Sequence, residues 1–236
     1  MQVSKQLIAN LKSSKITRNN IARACRLIRW LNRNHVAGVA KWEKELEQAS
    51  NQSPPEEPFI DIVQQGIVTL GLARSNRLPA MNPSATTADL QFSCSGKLCH
   101  GDVKRLRPDY SLISALVQAG QDGIAIEYGN ESKGVQQITS LIVTNKQACG
   151  TAPFVLFLRS ENPNSEAGEF WTAIHYITQA QKSGNQLLPN LSAVWFSEGS
   201  GIMRHHDVWV NPARKVPNNL SESELQSLKY LNLCLI

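Results

Sequence analysis

From Leu90 onward the chain alternates short apolar runs with stretches of helical periodicity, and no other feature restricts its fold so strongly. Gly123 to Tyr128, Pro153 to Arg159, Ser192 to Ser197 and Asp207 to Val210 read as strands. Val135 to Asn145 and Glu166 to Lys182 read as helices between them. The expected class is α/β, a central mixed β-sheet flanked by helices, because strands joined by helical crossovers bury both faces of one sheet. Ser221 with Glu224 three residues on satisfies a capping box ahead of Leu225, Leu228 and Leu231, which predicts a closing helix. Every apolar run is far shorter than the roughly 20 residues a bilayer span requires, so no membrane partner is expected.

The first fifty residues have a different character. Val3, Leu7, Ile8 and Leu11 recur at helical spacing behind Ser4, and after Thr17 a second helix places Ile21, Ala24, Cys25, Ile28 and Leu31 on one side. Arg18, Arg26, Arg29 and Arg33 cluster nearly opposite. Residues 1–50 hold ten Lys and Arg against three Glu, a net +7 in a chain whose total is +5, so the remainder sums to −2. A basic head on a near-neutral body predicts a polyanion partner, since each cation placed on a phosphate releases a condensed counterion. A basic helical region over 1–50 and an α/β core over 51–236 are expected. Gln48 to Pro58, carrying Pro54, Pro55 and Pro58, reads as a linker or surface loop unable to continue a helix. Ile60 to Leu70 reads as a helix ending near Gly71, and Ser75 to Ala88 as a loop. The two N-terminal helices joined at Ser13-Ser14-Lys15 also read as the start of a helix-turn-helix, against the commoner helical pair packed on a larger core. The N-terminus shows no secretory pattern, and five scattered cysteines suit a reducing compartment, so a cytoplasmic location is expected.

Chemistry is suggested by Arg107-Pro108-Asp109-Tyr110, followed after a gap by Ile124-Ala125-Ile126-Glu127-Tyr128-Gly129-Asn130 and then a helical pattern. Over roughly Asp102 to Arg159 the chain resembles the restriction-endonuclease-like nucleases, whose pattern is Pro-Asp, a spacer, then (Asp/Glu)-x-Lys near the end of a strand. Some type II restriction endonucleases also carry an aromatic-Gly-Asn run after the acidic strand. The resemblance implies a divalent-metal-dependent endonuclease that hydrolyses phosphodiester bonds in double-stranded DNA as a homodimer, with Mg²⁺ as cofactor. Asp109 and Glu127 would be the metal ligands, because two carboxylates must converge on one cation that stabilises charge on the phosphorane and activates water. Two residues after Glu127 stands Gly129 rather than lysine, so Lys133 is the substitute cation. Alternatively Glu127 occupies the lysine position and the acid position falls on Ala125, or Glu131-Ser132-Lys133 supplies a literal Glu-x-Lys in a turn-like context. Arg18, Arg26, Arg29 and Arg33 would hold backbone phosphate.

Other residues are weighed against blander readings. Cys94, Cys99 and His100 are three soft ligands within seven residues, but zinc thiolate sites show tighter spacing and a matching second pair, so structural cysteines are expected. His205, His206 and Asp207 open a strand on which adjacent histidines face opposite ways. His175 reads as a packing residue, Trp195 and Trp209 as core, and Trp30 as packed beside arginine stems or stacked on a base. Phosphate-loop, dinucleotide and serine-hydrolase patterns find no support. The competing functions are a non-catalytic DNA-binding protein and an interaction module for an acidic partner.

Overall fold

In a computed structural model, described over residues 5–83, 88–107, 131–144, 152–161, 166–184, 188–198, 206–215, 220–231 and 233, helices cover both faces of a six-stranded mixed sheet. The helices are α1 (Lys5–Ser13), α2 (Arg18–Arg33), α3 (Val39–Ser50), α4 (Glu56–Arg74), α5 (Glu131–Thr144), α6 (Ala167–Lys182) and α7 (Glu222–Gln226). A 3₁₀ turn follows at Ser227–Tyr230. The strands are β1 (Ala80–Met81), β2 (Leu90–Cys94), β3 (Lys97–Leu106), β4 (Phe154–Ser160), β5 (Ala193–Ser197) and β6 (His206–Val210), and they lie side by side in chain order. β2 is antiparallel to β1 and β3, β3 to β5 are mutually parallel, and β6 is antiparallel to β5. The expected α/β class with its mixed sheet holds.

Strand alternation divides the core. Val103, Val155, Phe157 and Trp195 pack with Val68 and Leu72 of α4 and with Leu225 and Leu228. Leu106, Leu156, Leu158, Val194 and Phe196 face the other way, against Ile138 and Ile142 of α5 and Phe170 and Ile174 of α6. A third apolar cluster joins α1, α2 and α3 to Phe59, Val63 and Ile67 of α4, so α4 is packed on two sides. That double burial explains why its apolar residues run nearly continuously.

The proline-rich segment differs from expectation. α3 extends to Ser50 and α4 begins at Glu56, so the break is confined to residues 51–55. Pro58 falls in the first turn of α4, where the missing N–H would have had no intrahelical partner. α4 also continues beyond Gly71 to Arg74. At the entry to α3, Gly38 takes φ +83°, and a Cβ there would lie 2.0 Å from the Met81 carbonyl oxygen, so only glycine lets the helix approach β1. His175 is exposed rather than packed, whereas Trp195 and Trp209 are core residues as expected.

Candidate functional site: an acidic pair at the open edge of β3

β2 and β3 form a hairpin through Ser95 and Gly96, both with positive φ, and their ladder runs from Cys94↔Lys97 to Leu90↔Gly101. β3 continues five residues past the last of these pairs, to Leu106, held on its other side by β4. The Asp89 side chain substitutes for part of the missing ladder. Its Oδ2 accepts from the Val103 N–H at 2.9 Å, while the Asp89 N–H donates to Oδ1 of Asp102 at 3.0 Å. This reciprocal pairing brings two carboxylates together across the strand edge. Asp89 is half-buried and Asp102 fully buried.

Lys104 follows Asp102 by two residues and therefore shares its face of the sheet. Its charge lowers the pKa of both acids, without reversing the opposite effect of burial. Burial, reinforced by the charge of Asp89, pushes Asp102 up to about 6. Asp89 is likewise raised, chiefly by burial, against the hydrogen bond from Val103. Two carboxylates and an ammonium thus share one region of low polarity.

A cleft of about 400 Å³ runs along the open edge of β3, lined by Asp61 and Gln65 of α4, Lys104 and Arg105, Arg107, and Gln137 of α5. Its floor is fixed by ion pairs. Arg105 donates to Asp61 at 2.8 Å, to Glu161 at 2.8 Å and to Glu57, while Arg107 reaches Asp61. Burial works against the Arg105 charge, but the hydrogen bonds it donates to Glu161 and Asp61 outweigh it and hold the guanidinium above its ordinary pKa.

The donor set fits a hard divalent cation. Carboxylate oxygens are the ligands Mg²⁺ prefers, and that ion keeps several waters or phosphate oxygens rather than demanding an all-protein cage. Two protein carboxylates are consistent with this, and among the described residues no group of three or more His, Cys, Asp or Glu is placed to hold a metal ion. Oδ1 of Asp89 makes no hydrogen bond with any described residue.

The residues expected to carry chemistry are placed unevenly. Asp109 and Glu127 lie outside the described residues. Lys133 is exposed in the first turn of α5. Arg18, Arg26, Arg29 and Arg33 are all exposed on α2. That helix runs alongside α4: Thr17 and Asn20 hydrogen-bond Glu56 at one end, and the Arg74 guanidinium lies 5.0 Å from the Trp30 ring at the other. Trp30 packs beside the Arg33 and Arg74 guanidinium groups, 5.6 and 5.0 Å from its ring, and stays exposed. Cys94 and Cys99 point toward α4 and His100 toward the opposite face, so the three cannot ligate one metal. Arg77 donates to the Cys94 sulfur at 3.0 Å, a structural role for that thiol.

Asp102-Val103-Lys104 is a literal Asp-x-Lys lying within the stretch that resembles the nucleases, thirteen residues after Asp89. Sequence reasoning passed over it because its strand lacks an apolar run. The usable signal was the turn-forming Ser95-Gly96 directly after the alternating Leu90–Cys94 segment. Compared with protein-family models, curated proteins and solved structures, the chain finds no match in any of the three.

Proposed function

We propose that the chain is a divalent-metal-dependent nuclease that hydrolyses phosphodiester bonds in duplex DNA, with its reacting groups at Asp89, Asp102 and Lys104. The observation that carries this reading is the reciprocal Asp89–Asp102 pair with Lys104 two residues on, Lys104 lining a cleft beside the largely buried pair. It repeats the acid, spacer and Asp-x-Lys order of the restriction-endonuclease-like nucleases, with Ala88 where their pattern has proline, and the cleft-lining cations Arg105 and Arg107 follow directly.

Asp89 and Asp102 would hold Mg²⁺, which when bound lowers the pKa of the attacking water and stabilises charge on the phosphorane. Lys104 donates to a non-bridging oxygen of the scissile phosphate or orients the water, and its charge is matched to the negative charge that grows in the transition state. Arg107, half-exposed at the cleft, and the arginine face of α2 hold flanking phosphates. The α2 face extends about 22 Å from Arg18 to Arg33 at the helical rise of 1.5 Å per residue. Its Arg18 end lies beside the N-terminus of α4, the same end that carries Glu57 and Asp61 to Arg105. Cutting both strands of a symmetric target would use two copies of the chain.

Incubation of duplex plasmid with Mg²⁺ or Mn²⁺ is expected to yield cleavage that EDTA abolishes. Asp89→Asn and Asp102→Asn should each remove it, and Lys104→Ala should reduce it about 10²- to 10³-fold. Retention of cleavage by Asp102→Asn would overturn the assignment of the site. Salt-dependent DNA binding without cleavage under either metal would favour a non-catalytic DNA-binding protein instead.

A further inference from the structure

Gln65 lies on the face of α4 that meets β3, one helical turn from Asp61 on one side and from Val68 on the other. Both of those neighbours are accounted for: Asp61 pairs with Arg105 and Arg107, and Val68 is packed in the core. The Gln65 side chain has no such partner. It is 8 % exposed, its Oε1 is buried without a hydrogen bond, and no described residue accepts from its Nε2. Buried amides ordinarily find partners at both ends, because a buried group left unpaired keeps its full desolvation cost.

This amide lines the cleft of about 400 Å³ at the open edge of β3. Val103 and Leu141 give that cleft apolar wall, and Lys104 and Arg107 give it positive charge. Its volume lies at the small end of the range for ligand pockets, about 300–1,000 Å³, and suits one ring system. We propose that the cleft takes a nucleobase adjoining the phosphate held by Lys104, and that Gln65 is the residue that selects the base. The choice of ligand rests on the nuclease reading of this same region. A primary amide presents a donor and an acceptor side by side, and the base edge that matches both is that of adenine, with N7 accepting from Nε2 and N6–H donating to Oε1. Val103 and Leu141 offer apolar contact to the ring, while Lys104 and Arg107 are left for the phosphate of the same nucleotide. A duplex is far wider than the cleft, so the base has to leave the stack to enter, as it does in enzymes that work on an extruded nucleotide.

The test is calorimetric binding of deoxynucleoside 5′-monophosphates to the full chain in EDTA, which removes divalent metal and so separates binding from cleavage. dAMP should bind about 10-fold or more tighter than dTMP, and than deoxyribose 5-phosphate, which carries the phosphate without a base. 7-Deaza-dAMP, in which a C–H replaces N7, should lose most of that advantage. Gln65→Met keeps the length and volume of the side chain and removes an unpaired amide, so it should fold at least as stably as wild type. It should bind deoxyribose 5-phosphate unchanged and lose the preference for dAMP. Lys104→Ala should weaken every ligand by a common factor and keep the preference. dAMP binding no tighter than dTMP or deoxyribose 5-phosphate, an equal preference in Gln65→Met, or equal binding of 7-deaza-dAMP would overturn the proposal. Plasmid incubated with Mg²⁺ separates the two readings. Cleavage by a protein that does not prefer dAMP removes the base site and leaves the nuclease, whereas preference for dAMP without cleavage keeps the base site and removes the nuclease.

Discussion

Replacing Asp102 with asparagine should make the protein more stable at neutral pH while removing its proposed activity. The Asp102 carboxyl is fully buried, and burial together with the charge of Asp89 raises it from 3.8 to about 6. A group whose pKa is higher in the folded state binds its proton more tightly there. Between about pH 4 and pH 6 the folded chain therefore holds more protons than the unfolded one, and stability falls as pH rises. A shift of about two units at 1.36 kcal/mol each corresponds to roughly 3 kcal/mol of destabilisation once the carboxylate is fully ionised. Asparagine keeps the oxygen that accepts from the Asp89 N–H but cannot ionise. In EDTA, wild type and Asp102→Asn should unfold alike near pH 4 and diverge to about 3 kcal/mol by pH 7, or about 6–12 °C in Tm. Taking the difference between the two proteins cancels the titrating groups that do not interact with Asp102, leaving Asp102 with its neighbours Asp89 and Lys104. Saturating Mg²⁺ should shrink the gap, because the cation stabilises the ionised pair of the wild type alone. A pH-independent difference, or a variant less stable than wild type at pH 8, would refute the argument that the acidic pair is held under electrostatic strain.

Three further outcomes follow from named contacts. Arg26→Gln combined with Arg29→Gln should lower the slope of log K for duplex DNA against log salt by about 2, read by fluorescence anisotropy at several salt concentrations; an unchanged slope would remove the α2 face from the interface. Arg105→Met leaves Glu57, Asp61 and Glu161 facing one another in a part-buried site and should cost about 3–5 kcal/mol in urea unfolding, recovered in part at low pH as the acids protonate. Gly38→Ala forces a Cβ against the Met81 carbonyl at a positive φ and should destabilise by more than 1 kcal/mol, whereas Gly184→Ala, with no atom within 4 Å of the added Cβ, meets the conformational cost alone.

The parts of the fold that bury apolar surface in a regular pattern were legible. β4, β5 and β6, α5, α6 and the Ser221 cap all follow from periodicity or a local hydrogen-bond motif. β3 was not legible, because Asp102, Lys104 and Arg105 interrupt it with charge. Arg105 is buried through carboxylates 44, 48 and 56 residues away in the chain, a compensation that no local window contains. α3 was hidden behind the proline segment, whose prolines fall between helices or in a first turn, where they cost nothing. His175 was misjudged for a related reason: its neighbours Ile174 and Ile177 are buried, but a helix turned by one residue presents the next side chain to solvent.

The strand that escaped the pattern is also the one that builds the candidate site, and the two facts have a common cause. Where β2 ends, the next backbone N–H groups of β3 lose their ladder partners, and a buried unpaired N–H is costly enough that a substitute acceptor is required. Asp89 meets that requirement for Val103 with a carboxylate rather than a neutral group. The substitution fixes a negative charge that adds to burial in raising the Asp102 pKa, while burial raises that of Asp89, beside a cleft lined by Lys104 and Arg105. An asparagine at 89 would satisfy the same N–H without the repulsion, so hydrogen bonding alone does not account for the aspartate. A bound cation would, because it would convert the repulsion between the two acids into shared coordination. If Asp89→Asn leaves the fold intact and raises its stability in EDTA, then removes the stabilisation by Mg²⁺, the carboxylate is there for the cation and not for the strand.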